Sequence, residues 1–235
     1  MQKATLPVIY MQLNGEMINE LFGYTTEMDS CYMRDDILPV AQGDTVDISI
    51  KTYDYKVKRI YYEIKSLDAK NTVTSGEASV SKEDKENLTA TIDCASKLMD
   101  QTEYVLILTV NDKEIYYYSR IVKCDTRYAE DGIEFAQYFH DETLKEGTSE
   151  DLAIYVETDS TGNNASLDNV SIHSSLSQIC WGDYEGVEYG KSVISLKELD
   201  GNYCVATIDY MMADSKDDAA AIYNVSEYYR MRCDT

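Results

Sequence analysis

The sequence predicts a mostly β protein, and three observations carry that expectation. Apolar residues recur at every second position in short runs, as in Val46, Ile48 and Ile50 with Asp47, Ser49 and Lys51 between them; this is the period of a half-buried strand. Tyrosine dominates the aromatics, with 21 Tyr against 3 Phe and 1 Trp, and its ring packs on a pleated surface while its hydroxyl reaches water. Turn signals such as Asn14-Gly15 and Asp200-Gly201-Asn202 separate the runs. Strand packing is the simpler account of the tyrosines, although exposed Tyr also builds carbohydrate-binding and paratope-like surfaces.

Length and charge bound the function. The 235 residues, 44% of them hydrophobic, are enough for one large β domain or two modest ones. Lys and Arg total 21 against 43 Asp and Glu, a net charge of -22. Such a chain repels nucleic-acid phosphates and anionic lipid headgroups, so no nucleic-acid partner is expected. No run approaches the roughly 18 apolar residues of a membrane-spanning helix, so no membrane insertion is expected of this segment. With only His140 and His173 present, a His-rich metal site cannot be built, and no motif implies a cofactor. The six cysteines, Cys31, Cys94, Cys124, Cys180, Cys204 and Cys233, contain no C-x-x-C. Three disulfides in an oxidising compartment and six small buried thiols both fit that count.

Along the chain, Val8–Leu13 and Glu16–Phe22 flank Asn14-Gly15 as a hairpin, followed by a polar loop from Thr25 to Asp36 that ends near Pro39. Strands follow at Val46 to Ile50 and at Ile60, Tyr62 and Ile64, with a weaker one from Thr72 to Val80. After the charged turn Lys82–Glu86 come Leu88, Ala90 and Ile92, then Tyr104 to Val110, the turn at Asn111-Asp112, and Ile115 to Ile121. Six or seven short strands at this spacing, without long helices, read as a sandwich.

Leu98-Met99-Asp100-Gln101-Thr102-Glu103-Tyr104-Val105-Leu106 resembles the Leu-x-Pro-x-Thr-x-Tyr-x-hydrophobic signature of fibronectin type III domains. Leu98, Thr102 and Tyr104 match by position, Asp100 stands where that family has Pro, and the early-strand Trp is missing. The resemblance implies an Ig-like sandwich over residues 44–124, with Tyr104 as a tyrosine corner whose hydroxyl bonds backbone upstream. It carries no enzymatic implication.

Beyond Cys124 the period lengthens. Ile133, Ala136, Tyr138, His140 and Leu144 imply one helix from about Tyr128 to Lys145, with Gly147 as its stop. After it, Leu152, Ile154 and Val156 alternate, Asp159–Asn164 is a loop by composition, and Val170 with Ile172 and Ile179 to Trp181 read as short strands. Val193–Leu199 and Tyr203–Met211 form a second hairpin, and Ala220–Cys233 the last strand. The expected organisation is therefore an N-terminal hairpin and loop (1–43), an Ig-like sandwich (44–124), a linking helix (125–147) and a second β-rich unit (148–235).

At whole-chain scale, Leu6-Pro7-Val8-Ile9-Tyr10, Met33-Arg34-Asp35 and Ile60–Asp68 resemble uncharacterised surface-anchored proteins of gut Gram-positive bacteria. That family has no assigned activity, so the resemblance implies location rather than chemistry. The start of the chain is no signal peptide, and Tyr228–Arg232 stops in mid-pattern. The expectation is a piece of a longer cell-surface protein whose anchor lies outside this sequence.

Each candidate site has a plainer role beside the functional one. His140-Asp141-Glu142 sets an imidazole beside carboxylates, but no nucleophile motif accompanies it, and a partly exposed helical His is the plainer account. Asp159–Asn164 and Asp214–Asp218 offer oxygen ligands for calcium without an EF-hand register, so solvated loops are expected. The N-x-S/T tripeptides at Asn87, Asn164, Asn169 and Asn224 read as chance occurrences. Nothing singles out a catalytic carboxylate pair among the 43 acids. The best binding candidate is Trp181 with Tyr184 and Tyr189, in the glycine-punctuated stretch Gly182–Gly190, where aromatics stack on a sugar, anchor a protein partner, or cover the open end of a sandwich. The leading expectation is a non-enzymatic adhesion or interaction module, with a carbohydrate-binding or enzyme-accessory module as the alternative and a carboxylate hydrolase third.

Overall fold

The computed structural model describes residues 4–33, 35–41, 43–82, 84–214 and 221–233. Contacts divide the chain into two compact units. The first comprises residues 1–132, 193–207 and 229–235, and the second residues 133–192 and 208–228.

Most of the first unit is β. Strands β1 (Thr5–Leu13) and β2 (Glu16–Gly23) close a hairpin at Asn14-Gly15. Both turn residues have positive φ, 50° and 84°, as a two-residue turn matched to strand twist requires. There follow β3 (Ile37–Val40), β4 (Thr45–Lys51), β5 (Ile60–Ser66), β6 (Thr72–Glu77), β7 (Ser79–Lys82), β8 (Asn87–Asp93), β9 (Glu103–Val110) and β10 (Ile115–Lys123). They build two five-stranded sheets, ordered β2-β1-β4-β8-β7 and β3-β10-β9-β5-β6. The pairings are antiparallel except β3 beside β10, which is parallel.

The alternation seen in sequence is the core of this sandwich-like unit. Val46, Ile48 and Ile50 are buried while Asp47 is exposed, and Ile60, Tyr62 and Ile64 are buried beside Leu88, Ala90 and Ile92. Tyrosine hydroxyls tie the two sheets: Tyr117 donates to the Pro7 carbonyl at 2.6 Å, and Tyr62 to the Asp93 carbonyl at 2.6 Å. Half-buried Lys123 and buried Asp44 pair at 2.8 Å, joining the end of β10 to the turn before β4. Tyr104 is buried, and its hydroxyl accepts from the Met99 backbone N–H, five residues upstream, at 2.9 Å. Leu98 is buried, and Thr102 donates to the Asp100 carbonyl at 3.2 Å.

Two local readings are corrected here. The polar loop from Thr25 to Asp36 contains a 3-10 turn, Ser30–Tyr32, and is followed by β3, which takes in Pro39. Proline is tolerated there because β3 is an edge strand. The loop is also a cover. Val105, Ile107, Tyr116 and Tyr118 form a buried cluster, and Tyr24, Met28, Met33 and Leu67 pack on it. The single strand expected from Thr72 to Val80 is two, β6 and β7, in different sheets; the chain changes sheet at Ala78, whose N–H donates to Ile60.

Helix α1 (Arg127–Thr143) begins in the first unit and ends in the second, and Gly147 beyond it has φ +82°. Strands β11 (Val187–Asp200), β12 (Tyr203–Ala213) and β13 (Ile222–Arg232) form one three-stranded sheet in that order, and each contributes residues to both units.

The stretch between α1 and β11 contains no strand among its described residues, which corrects the three strands expected there. Leu152 to Tyr155 lies in a 3-10 helix, Glu150–Tyr155. Leu152 is buried and Ile154 is 81% exposed, so the apparent alternation is not one face. Instead Tyr155 meets Phe135 of α1 edge-on, with ring centroids 4.8 Å apart. Val170 has no regular structure, Ile172 lies in a turn, and Ile179 ends helix α2 (Leu176–Ile179). Ser175 caps α2 by accepting from the Gln178 N–H at 3.2 Å.

Candidate functional site

Within the second unit, side chains from α1, the end of α2, β12 and β13 meet. His140 of α1 is 1% exposed, and its Nδ1 lies 3.1 Å from Oε2 and 3.2 Å from Oε1 of Glu227 on β13. Tyr210 of β12 donates its hydroxyl to Glu227 Oε1 at 2.7 Å and sets its ring edge-on to the imidazole, centroids 4.6 Å apart. Burial pushes the His140 pKa down, but the hydrogen bond and charge of Glu227 outweigh it and leave it raised. Burial and the same carboxylate push the Tyr210 hydroxyl well up, so it stays protonated.

An aromatic layer continues from this network toward the surface. Trp181 meets Tyr210 at 75°, centroids 6.4 Å apart, and lies tilted by 36° over Tyr184 at 5.8 Å. Tyr184 meets Tyr223 of β13 edge-on at 6.4 Å. Trp181 and Tyr184 are half-buried, and Tyr223 is 52% exposed. Trp181 has φ +67°, a left-handed conformation that costs a bulky residue roughly 1–2 kcal/mol. The Tyr184 hydroxyl is closed to solvent yet meets no hydrogen-bond partner.

The structure therefore brings together Trp181 and Tyr184 but not Tyr189, which sits on β11, 53% exposed. Tyr210, Tyr223 and Glu227 are members that sequence reasoning missed, and His140, expected as a partly exposed helical residue, is instead buried against Glu227. Ser175-x-x-Gln178, a helix-capping spacing, was the available signal that Trp181 follows a helix rather than lying in a strand. The His140-Asp141-Glu142 run is dispersed by the helix itself. Asp141 accepts from Gln137 at 2.9 Å, while Glu142 pairs with Lys145 and accepts from Ser149 at 2.6 Å.

The calcium-type loop turns its oxygens inward. Asp159 accepts from the Thr161 N–H and hydroxyl at 2.7 and 2.6 Å, and Asn164 from the Ser175 N–H at 2.7 Å. In the second candidate loop, Asp214 accepts from the Ala221 N–H at 3.1 Å; residues 215–218 lie outside the described residues, as do Arg34, Glu83 and Ala220. Among the described residues no three of His, Cys, Asp and Glu are grouped to hold a metal. No helix among them is long and apolar enough to cross a membrane.

The first unit has a polar recess of 510 Å³ beside Arg120 and Lys197. Both cations are engaged: Arg120 with Glu103 at 3.0 Å and the Lys197 carbonyl at 2.6 Å, and Lys197 with Asp36 at 2.6 Å. With Asp35, Glu198 and Asp200 also lining it, the recess does not favour an anion.

The chain matches no known family model, and no similar sequence is found among curated proteins.

Proposed function

We propose that this chain is a non-enzymatic interaction module of a bacterial cell-surface protein, and that its binding face is the aromatic layer Trp181–Tyr184–Tyr223. The observation that carries this reading is Trp181 itself. A large side chain held in a costly left-handed backbone conformation, at the rim of a buried network, is over-determined by its surroundings as binding residues often are. The resemblance to surface-anchored proteins and to Ig-like sandwiches supports the location and the architecture, and the net charge of -22 disfavours anionic partners.

His140 supports the non-enzymatic side. Glu227 orients its imidazole as a general base would be oriented, yet a ring 1% exposed meets no substrate. The network instead fastens α1 to β12 and β13 beneath the aromatic layer.

A carbohydrate ligand is the second reading. It is favoured by the low tilt between the half-buried rings of Trp181 and Tyr184. Arrays of glycans and of cell-surface proteins, probed with wild type and Trp181→Ala, separate the two. Signal on protein spots that Trp181→Ala loses supports a protein partner, and the same loss on glycan spots supports the second reading. No Trp181-dependent signal on either array removes both.

A further inference from the structure

We propose that Cys204, Cys233 and Met231 form a binding site for one soft monovalent cation, Cu(I), under the first turns of α1. Both cysteine Sγ atoms lie against one atom, the carbonyl oxygen of Tyr128, at 4.0 Å from Cys204 and 3.8 Å from Cys233. Strand register explains why they converge. Cys233 N–H donates to the Asn202 carbonyl at 2.9 Å, and the Asn202 side chain donates back to the Cys233 carbonyl at 2.7 Å. That pairing sets Met231 opposite Cys204, with Cys233 two residues further along the same face.

Gly132 makes the room. A Cβ at that position would sit 2.3 Å from Cys204 Sγ and 3.5 Å from Met231 Cε. Cys204 and Met231 thus share the space opened by Gly132, and Cys233 meets the same stretch of helix backbone at Tyr128.

The donor set decides the ion. Two thiols and a thioether are soft donors, and soft donors select Cu(I). A structural zinc site takes four ligands, and no such cluster exists among the described residues. A disulfide fits less well, because diagonal neighbours on paired strands stand about 7–8 Å apart at Cα, against about 4.4–6.8 Å across a disulfide. The binding step balances without an oxidant. Each thiol loses its proton to solvent as its sulfur bonds copper, two protons leave per ion, and copper stays in the +1 state.

The test is an anaerobic titration of the reduced protein with Cu(I) held by a chromogenic chelator. One retained equivalent with a sulfur-to-copper absorption band is expected, absent from Cys204→Ser and from Cys233→Ser and weakened about tenfold in Met231→Leu, as loss of a supporting group does. Far-UV circular dichroism checks that each variant folds. Alkylation mapping of the wild type decides the matter even if they do not: bound Cu(I) is expected to shield Cys204 and Cys233 together. No retained copper, shielding at other cysteines instead, or preference for Zn(II) over Cu(I) would each overturn the proposal.

Discussion

The Nδ1 atom of His140 stands 3.1 Å from a Glu227 carboxylate oxygen, across 87 residues of sequence. This contact makes the second unit sensitive to pH in a definite direction. The His140 pKa is raised above its ordinary value of 6.5, with Glu227 assisted by the charges of Glu188 and Asp141. A raised basic group contributes stability that is fully present below pH 6.5 and is lost as pH rises through the higher folded value. Urea unfolding of wild type is therefore expected to show stability falling above pH 6.5 through this group. In Glu227→Gln the slope flattens, and stability at pH 6 drops by about 1–3 kcal/mol. Parallel pH profiles for the two proteins would contradict the assignment.

Asn19 clamps the first unit from inside β2. Its side chain donates to the Ile37 carbonyl at 2.8 Å and accepts from the Leu196 N–H at 2.8 Å, while its backbone holds φ +52°. Asn19→Leu removes both bonds, strands two buried backbone groups and puts a branched side chain in a left-handed conformation. A loss of about 2–4 kcal/mol is expected in chemical denaturation. Asn19→Asp is expected to keep the accepting bond but to set a buried carboxylate against the Ile37 carbonyl, so at neutral pH it costs at least as much as Asn19→Leu.

Tyr104→Phe removes only the hydroxyl that accepts from Met99. About 1–2 kcal/mol of stability should go with it, because the Met99 N–H loses its partner. A loss below about 0.3 kcal/mol would mean that water replaces the hydroxyl at no cost.

How far the sequence revealed this fold depends on the reach of each contact. Where pairing is local, alternation and turn chemistry sufficed: both Asn14-Gly15 and Asp200–Asn202 close hairpins, and Val46, Ile48 and Ile50 face the core. The strand β3 escaped because it is short, contains Pro39 and exists only through its parallel partner β10. Leu152, Ile154 and Val156 imitated a strand because three residues are too few to separate a period of two from a helical turn. The site was the least legible. Trp181 and Tyr184 stood out by residue type, but Tyr210, Tyr223 and Glu227 reach them through tertiary packing that no local period encodes.

The cysteine question has a definite expected answer. No disulfide joins any of the six cysteines, and Cys94, Cys124, Cys180 and Cys204 are buried. Burial, with the nearby Asp44 and Asp93 charges, pushes the Cys94 thiol up to about 12, and burial with Asp100 and Asp125 pushes Cys124 up to about 11. A disulfide-exchange reagent at pH 8 should therefore count six thiols in denaturant, while Cys94 and Cys124 react slowly in the native protein. Fewer than six in denaturant, without prior reduction, would show a disulfide.

Binding of labelled protein to intact bacterial and epithelial cells, read by flow cytometry, tests most directly whether Trp181 anchors a partner. Tyr228→Ala is the control, since Tyr228 is 66% exposed in the same unit but outside the aromatic layer. Wild type and Tyr228→Ala should bind alike, and Trp181→Ala should bind at least about tenfold more weakly, as loss of a buried aromatic anchor does. Equal binding by Trp181→Ala and wild type would contradict the account.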